Sequence, residues 1–292
     1  MCKGLTVALL LLSGLCAYGQ DLQGETPKLE AHAPFSLLGS QLNKEVLHSS
    51  MFGVGTSNIL DTYLSPYNYT GIDLRIQRET MRMTTLWQGR ISNQSLIDIN
   101  GAINKNRPGT MDEYAGSIRY SQGWLYNFAG GNIVNPVERS ASPWNFAAGL
   151  SATAHLGCVY IDRSGNNPAQ AKADLCIDAS GMASYDMRIA GHHYLWRYQL
   201  TVPLFGIAFS PRYGQSYYEA FGMGHYDRNV VFAYIGNMPS HRHRLTLDIP
   251  VSRYTLRIGY VAQFNQTQFN QLKYHSYSHT FMVGFNKYLY RK

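Results

Sequence analysis

From about position 46 onward, hydrophobic and polar residues alternate along the chain with a period of two. The stretch 171–189 shows it best: Ala173, Leu175, Ile177, Ala179, Ala183, Tyr185, Met187 and Ile189 share one parity. Lys172, Asp174, Asp178, Ser180, Ser184, Asp186 and Arg188 share the other. Successive side chains of a strand point to opposite faces, so this pattern predicts a strand with one apolar and one hydrophilic face. The same alternation sets Ile118, Tyr120, Trp124, Tyr126 and Phe128 against Ser117, Arg119, Ser121 and Asn127. It returns in Phe146, Leu150, Leu156 and Tyr160, in Trp196, Tyr198, Leu200 and Val202, and in Tyr254, Leu256, Ile258, Tyr260 and Phe264. Apolar residues do not recur at three and four, so a helical reading fails.

Length separates the two homes such strands can have. Strands of soluble proteins run to about five or six residues, and several of these alternations are far longer. Long tilted strands suit a transmembrane barrel, which also leaves no backbone edge unpaired. Aromatic residues near strand ends (Tyr67, Tyr69, Trp87, Trp144, Tyr194, Tyr288, Tyr290) fit interfacial girdles. The fold expected is therefore all-β, a single antiparallel transmembrane β-barrel over residues 46–292. At roughly 20 residues per strand and connection it has about 12 strands, with 10 as the fallback. The rival is a soluble β-sandwich, with polar faces outward and apolar faces packed together.

The N-terminus precedes this pattern. Residues 1–19 read as a signal peptide: Lys3, an apolar run too short to span as a helix, and Ala17-Tyr18-Gly19 as a cleavage site. Cys16 raises a lipoprotein alternative, which Leu15 before it disfavours. Residues 20–45, with Pro27 and Pro34, read as a flexible lead segment or a small plug. Composition agrees with export to a membrane. Only 15% of the 292 residues are charged, against roughly 25% in average soluble domains, while Tyr numbers 22 and Gly 27. Mean hydropathy is −0.24, which excludes a helical multi-span protein. The net charge of +7 comes from scattered single positives rather than basic runs, so nucleic acid is not an expected partner. Outer-membrane lipid and small solutes are. Cys158 and Cys176 could be brought together as a disulfide or stay as two small side chains.

Three uncommon stretches, Asn58 to Pro66, Gly165 to Lys172 and Phe209 to Glu219, and the closing Tyr277-Ser278-His279-Thr280-Phe281 carry a resemblance. Together they resemble a family of exported proteins of unknown function from Bacteroidales-type Gram-negative bacteria. That resemblance implies a barrel in the cell outer membrane and no assigned activity. The chain departs from the general outer-membrane pattern in ending Tyr290-Arg291-Lys292 rather than on an aromatic.

Candidate chemistry is sparse. Asp73, Arg75 and Glu79, with Asp174, Asp178, Asp186 and Arg188, are the expected lumen-facing polar residues. They are either an ion-pair ladder filling a narrow barrel or a charged constriction that selects small solutes. The reading is non-enzymatic: a narrow pore or a structural envelope component. The alternatives are a membrane-embedded lipid or ester hydrolase and a secreted soluble β ligand-binding protein. For the hydrolase, His48 and Ser50, Ser216, and the pairs within 275–279 are the serine–histidine candidates. His192-His193 and His241-x-His243 lack a third ligand of convincing spacing, so neither a metal nor a cofactor is expected.

Overall fold

A computed structural model describes residues 45–87, 89–128, 143–162, 167–251 and 254–290. The expected signal peptide and lead segment, residues 1–44, lie outside the described residues. Eleven strands follow in order: β1 (Glu45–Asp61), β2 (Asn68–Met83), β3 (Ile91–Asn106), β4 (Asp112–Asn127), β5 (Trp144–Ile161), β6 (Ala169–Ile189), β7 (His192–Phe209), β8 (Val230–Tyr234), β9 (His241–Val251), β10 (Tyr254–Phe269) and β11 (Leu272–Tyr290).

Each pairs antiparallel with its neighbours in the order β6-β5-β4-β3-β2-β1-β11-β10-β9-β7, and β6 pairs with β7 to close the ring. The result is a closed barrel of ten strands, with β8 attached to β7 outside the ring. Ten is the fallback count expected from the sequence, and twelve is too high. Nine of the ten staves are 16–21 residues long, so fewer fit than the usual spacing of about 20 residues per strand and connection suggests.

The wall is inverted relative to a soluble protein. Phe52 and Val54 on β1, Ile72 and Leu74 on β2, Ile97 and Ile99 on β3, and Phe281 and Val283 on β11 are exposed outside. Asp73, Arg75, Gln77, Glu79, Asp98, Arg197 and Arg257 are buried inside. A β-sandwich would do the reverse. Exposure of so much apolar surface costs roughly 25 cal/mol per Å² in water and nothing comparable in hydrocarbon. Tyr67, Trp87 and Trp144 are exposed as a girdle requires, whereas Tyr69 points inward and is buried, its hydroxyl donating to Ser65 Oγ at 3.2 Å. Cys158 is exposed and Cys176 buried, both free, so the wall itself separates the two thiols.

Local chemistry explains the turns and the single irregularity. Two-residue hairpins join β6 to β7 and β10 to β11 through residues with positive φ, Ala190 (49°) with Gly191 (81°) and Asn270 (48°) with Gln271 (67°). That is the handedness that matches strand twist. At Gly149 a Cβ would sit 1.9 Å from the Trp124 carbonyl oxygen, so any side chain there would force β4 and β5 apart. The β7–β9 ladder stops at Thr201, paired with Arg242, and from Phe205 onward β7 pairs with β8 instead. Pro203, which has no N–H to give, stands at the change of partner, opposite a register shift at Ile177/Asp178 of β6.

Candidate functional site

The interior is layered. Both described chain ends, Glu45 and Tyr290, pair at one end of the barrel, here the termini end. There, Leu47, Met81, Met83, Leu125, Ala147 and Met182 form an apolar layer across the bore.

Above it lies an ion-pair network. The inward face of β2 supplies Asp73, Arg75, Gln77 and Glu79. Glu79 accepts from Arg244 of β9 at 2.6 Å and Arg257 of β10 at 2.7 Å, and Arg197 of β7 stands 3.7 Å away. β2 and β7 are five steps apart in either direction round the ring, so this cluster crosses the full diameter. Gln94 of β3 adds a hydrogen bond to Glu79 at 2.6 Å and another to Gln199 of β7 at 3.0 Å. Arg244 also donates to Gln199. Arg257 forks onto Asp248 with bonds of 2.6 and 2.7 Å, the planar two-point geometry that makes guanidinium–carboxylate pairs strong. A second cluster centres on Asp98, which receives Arg75 at 3.1 Å and Gln77 at 2.9 Å, with Arg242 at 3.5 Å. Arg75 further donates to Gln263 and Ser278 and lies 3.5 Å from Asp73.

The remaining polar candidates lie elsewhere. Asp174 meets the His155 imidazole at 2.7 Å, Asp178 accepts from Thr153 at 2.6 Å, and Asp186 meets His193 at 3.0 Å. Arg188 is exposed near the termini end of β6. Sequence reasoning passed over Asp98, Arg242, Arg244 and Asp248. The β9 signal was present, because Arg242, Arg244, Thr246 and Asp248 alternate with Leu245, Leu247 and Ile249. The structure places His241 and His243 on β9 as well.

The opposite end is hollow and roofed. Residues 210–229 cross the rim as a lid. The Tyr63 hydroxyl donates to the Gln215 carbonyl at 2.9 Å, the Ala171 N–H donates to the Tyr217 hydroxyl at 2.7 Å, and the Asn270 amide donates to the Arg228 carbonyl at 2.9 Å. Burial pushes both phenols up to about 12; at Tyr63 the nearby Tyr217, Asp61 and Glu219 add to it. Ser216 is tied to Glu219 within this lid. Its N–H donates to the Glu219 carboxylate at 2.8 Å and its hydroxyl accepts the Glu219 N–H at 3.1 Å, a reciprocal pair at the start of the short turn Tyr218–Gly222. The other serine–histidine candidates are engaged differently. His48 bonds Thr80 at 3.0 Å, His275 bonds Asn58 at 3.0 Å and His279 bonds Tyr260 at 2.7 Å. Among the described residues no group of three or more metal-type ligands gathers.

The chain is similar to several solved structures. The transport unit of the autotransporter AIDA-I from Escherichia coli is 7% identical over 88% of this chain and 97% of that one, with a TM-score of 0.48. The translocator domain of the autotransporter NalP from Neisseria meningitidis is 9% identical over 96% of both chains, with a TM-score of 0.38. The COG4313 outer membrane channel from Pseudomonas putida F1 is 8% identical over 91% of this chain and all of that one (100%), with a TM-score of 0.35. The barrel assignment rests on the chain's own strand pairing. No curated protein matches the chain. Residues 7–292 match the family described as protein of unknown function (DUF3316), and the chain belongs to that family.

Proposed function

We propose that the chain is a non-enzymatic barrel of the outer membrane whose lumen is sealed by its own side chains, a structural or ligand-holding envelope component rather than an open pore. The observation that carries this reading is the Glu79 cluster, in which β7, β9 and β10 reach a single carboxylate on β2 across the bore. A solute passing through would have to break several charge-assisted bonds at once and leave charges unpaired in a confined space. The apolar outer band supports lipid as the surrounding partner. Ser216 is bonded to Glu219, and His48, His275 and His279 each bond a group other than serine, which supports the non-enzymatic reading over the hydrolase alternative.

Two measurements test this. Urea-washed membranes should retain the protein, and unboiled samples should migrate differently from boiled ones on gels, as closed barrels do. In planar bilayers the wild type should give no stable conductance steps. Reproducible ohmic steps from the wild type would overturn the sealed reading; extraction of the protein into the soluble fraction would overturn the membrane reading.

A further inference from the structure

Beneath the lid the lumen holds a cavity. It adjoins a second space, and both are lined by Arg119, Asp178, Pro203, Ser240 and Asn265. Two groups face this chamber with bonding capacity unused. Arg119 of β4 is half-buried and makes no hydrogen bond or ion pair among the described residues, although a guanidinium offers five donors. Asp178 of β6 is buried. Its Oδ2 accepts from Thr153, while Oδ1 is shielded from solvent and has no partner.

Beside them the interior turns apolar, where Cys176, Ala208, Ala233, Met238 and Phe269 cluster. The adjoining charges are already committed: Asp174 to His155, and Lys172 to Asp61 at 3.0 Å.

We propose that this chamber binds a small zwitterion of the amino-acid or short-peptide class. Its carboxylate lies on Arg119, its ammonium on Asp178 and an apolar side chain against Ala208, Met238 and Phe269. The argument is one of exclusion as well as attraction. A simple anion would satisfy Arg119 but face the free Asp178 oxygen. A simple cation would satisfy Asp178 but face the free guanidinium. Only a ligand that carries both charges leaves neither unpaired, and unpaired buried charge is what such sites use to reject wrong ligands. β5 lies between β4 and β6 in the wall, so Arg119 and Asp178 act on each other at a distance, with no direct ion pair between them among the described residues. The proposal rests on the sealed-barrel reading, since the ion-pair network is the chamber's floor.

The test is calorimetric titration of the full chain in detergent micelles with four probes: the dipeptide Leu-Phe, its C-terminal amide, its N-acetyl form, and maltose as a neutral polyol. The dipeptide should bind saturably, and loss of either charge should weaken binding by about tenfold or more. Arg119→Gln should bring the dipeptide and its amide to equal affinity. Asp178→Asn should do the same for the dipeptide and its N-acetyl form. Heat-modifiable gel mobility shows that each variant is folded, and if one is not, the wild-type ranking alone decides. The proposal is overturned if the wild type binds no charged probe saturably, binds the three peptides equally, or prefers maltose. Conductance plays no part in this readout, so a leaky barrel that still ranks the probes correctly would break the sealed reading and spare the site.

Discussion

The two halves of this lumen solve the same packing problem in opposite ways. Toward the termini end, side chains from opposite walls meet, first as an apolar layer around Met81 and Leu125 and then as the network on Glu79 and Asp98. Toward the lid end the walls meet where Lys172 of β6 lies 3.0 Å from Asp61 of β1, and the space beside that contact is roofed rather than filled. The wall changes between the halves: β9 begins at His241, and from Phe205 onward β7 pairs with β8 instead. Side-chain reach differs too. The network is built from Arg, Gln and Glu, which span the bore in pairs, whereas the chamber wall sets short side chains, Ala173, Cys176, Ala208 and Ser210, among long ones such as Lys172, Phe269 and Tyr274. A buried ion-pair network adds little net stability over apolar packing of equal volume. Its presence here specifies which charges meet across the bore.

The sharpest way to break this contrast is at Glu79. Glu79→Ala leaves the guanidiniums around it without their common acceptor and should cost about 3–5 kcal/mol, read as urea or thermal unfolding by gel mobility in detergent. A variant as stable as the wild type would mean that the network does not hold the walls together. Next in size is a matched pair of enlargements. Ala147→Leu adds volume to the filled apolar layer and should cost about 1–3 kcal/mol. Ala208→Leu adds the same atoms beside the cavity and should cost less than about 0.5 kcal/mol, because the new methyls enter empty space. Equal losses would show that the hollow half is packed in solution.

The lid gives a pH-dependent signal. The folded-state values of Tyr63 and Tyr217, raised from 10.0 to about 12, mean that the folded lid holds these protons more tightly than the unfolded chain does. Their contribution is complete below pH 10 and is lost as the pH rises through 12. Phenolate absorbance should therefore show late titration that Tyr63→Phe and Tyr217→Phe each reduce, with amide exchange in 210–229 quickening over the same interval. Titration of both at the ordinary phenol value would remove the lid's buried contacts from the account. The smallest effect is expected at Asp178→Asn, which keeps an acceptor for Thr153 and relieves an unpaired charge. Its stability should change by less than about 0.5 kcal/mol, and a large loss would mean that Oδ1 has a structural partner.

Much of the wall could be read directly from the sequence, because alternation is a local property. Ile72, Leu74 and Ile76 against Asp73, Arg75 and Glu79 already separate outside from inside. Strand number was less accessible, since it depends on how far each stave continues past the apolar band. The network was the least visible part. Glu79 and Arg244 are 165 residues apart and Glu79 and Arg257 are 178 apart, so only ring closure brings them together. Single positives that looked scattered along the chain converge once the bore is narrow enough for opposite walls to touch. The chamber could not be read at all, because its lining is drawn from segments far apart in the sequence that only ring closure brings together.

The change of partner on β7 has a consequence for how this molecule can vary. Closure of the ring needs only the first part of β7 against β9, which ends at Thr201, and the whole excursion from Ser210 to Ser240 hangs beyond that seam. Its return to the wall is fastened by isolated bonds rather than a ladder: the Gln268 N–H to the Asn237 carbonyl at 2.8 Å, and the Ser240 hydroxyl to Gln266. Circumference and roof are therefore separable units of construction. The excursion is a cassette, one whose length and surface chemistry can be exchanged while the ten staves keep their register, so a single barrel could carry many different faces to the outside.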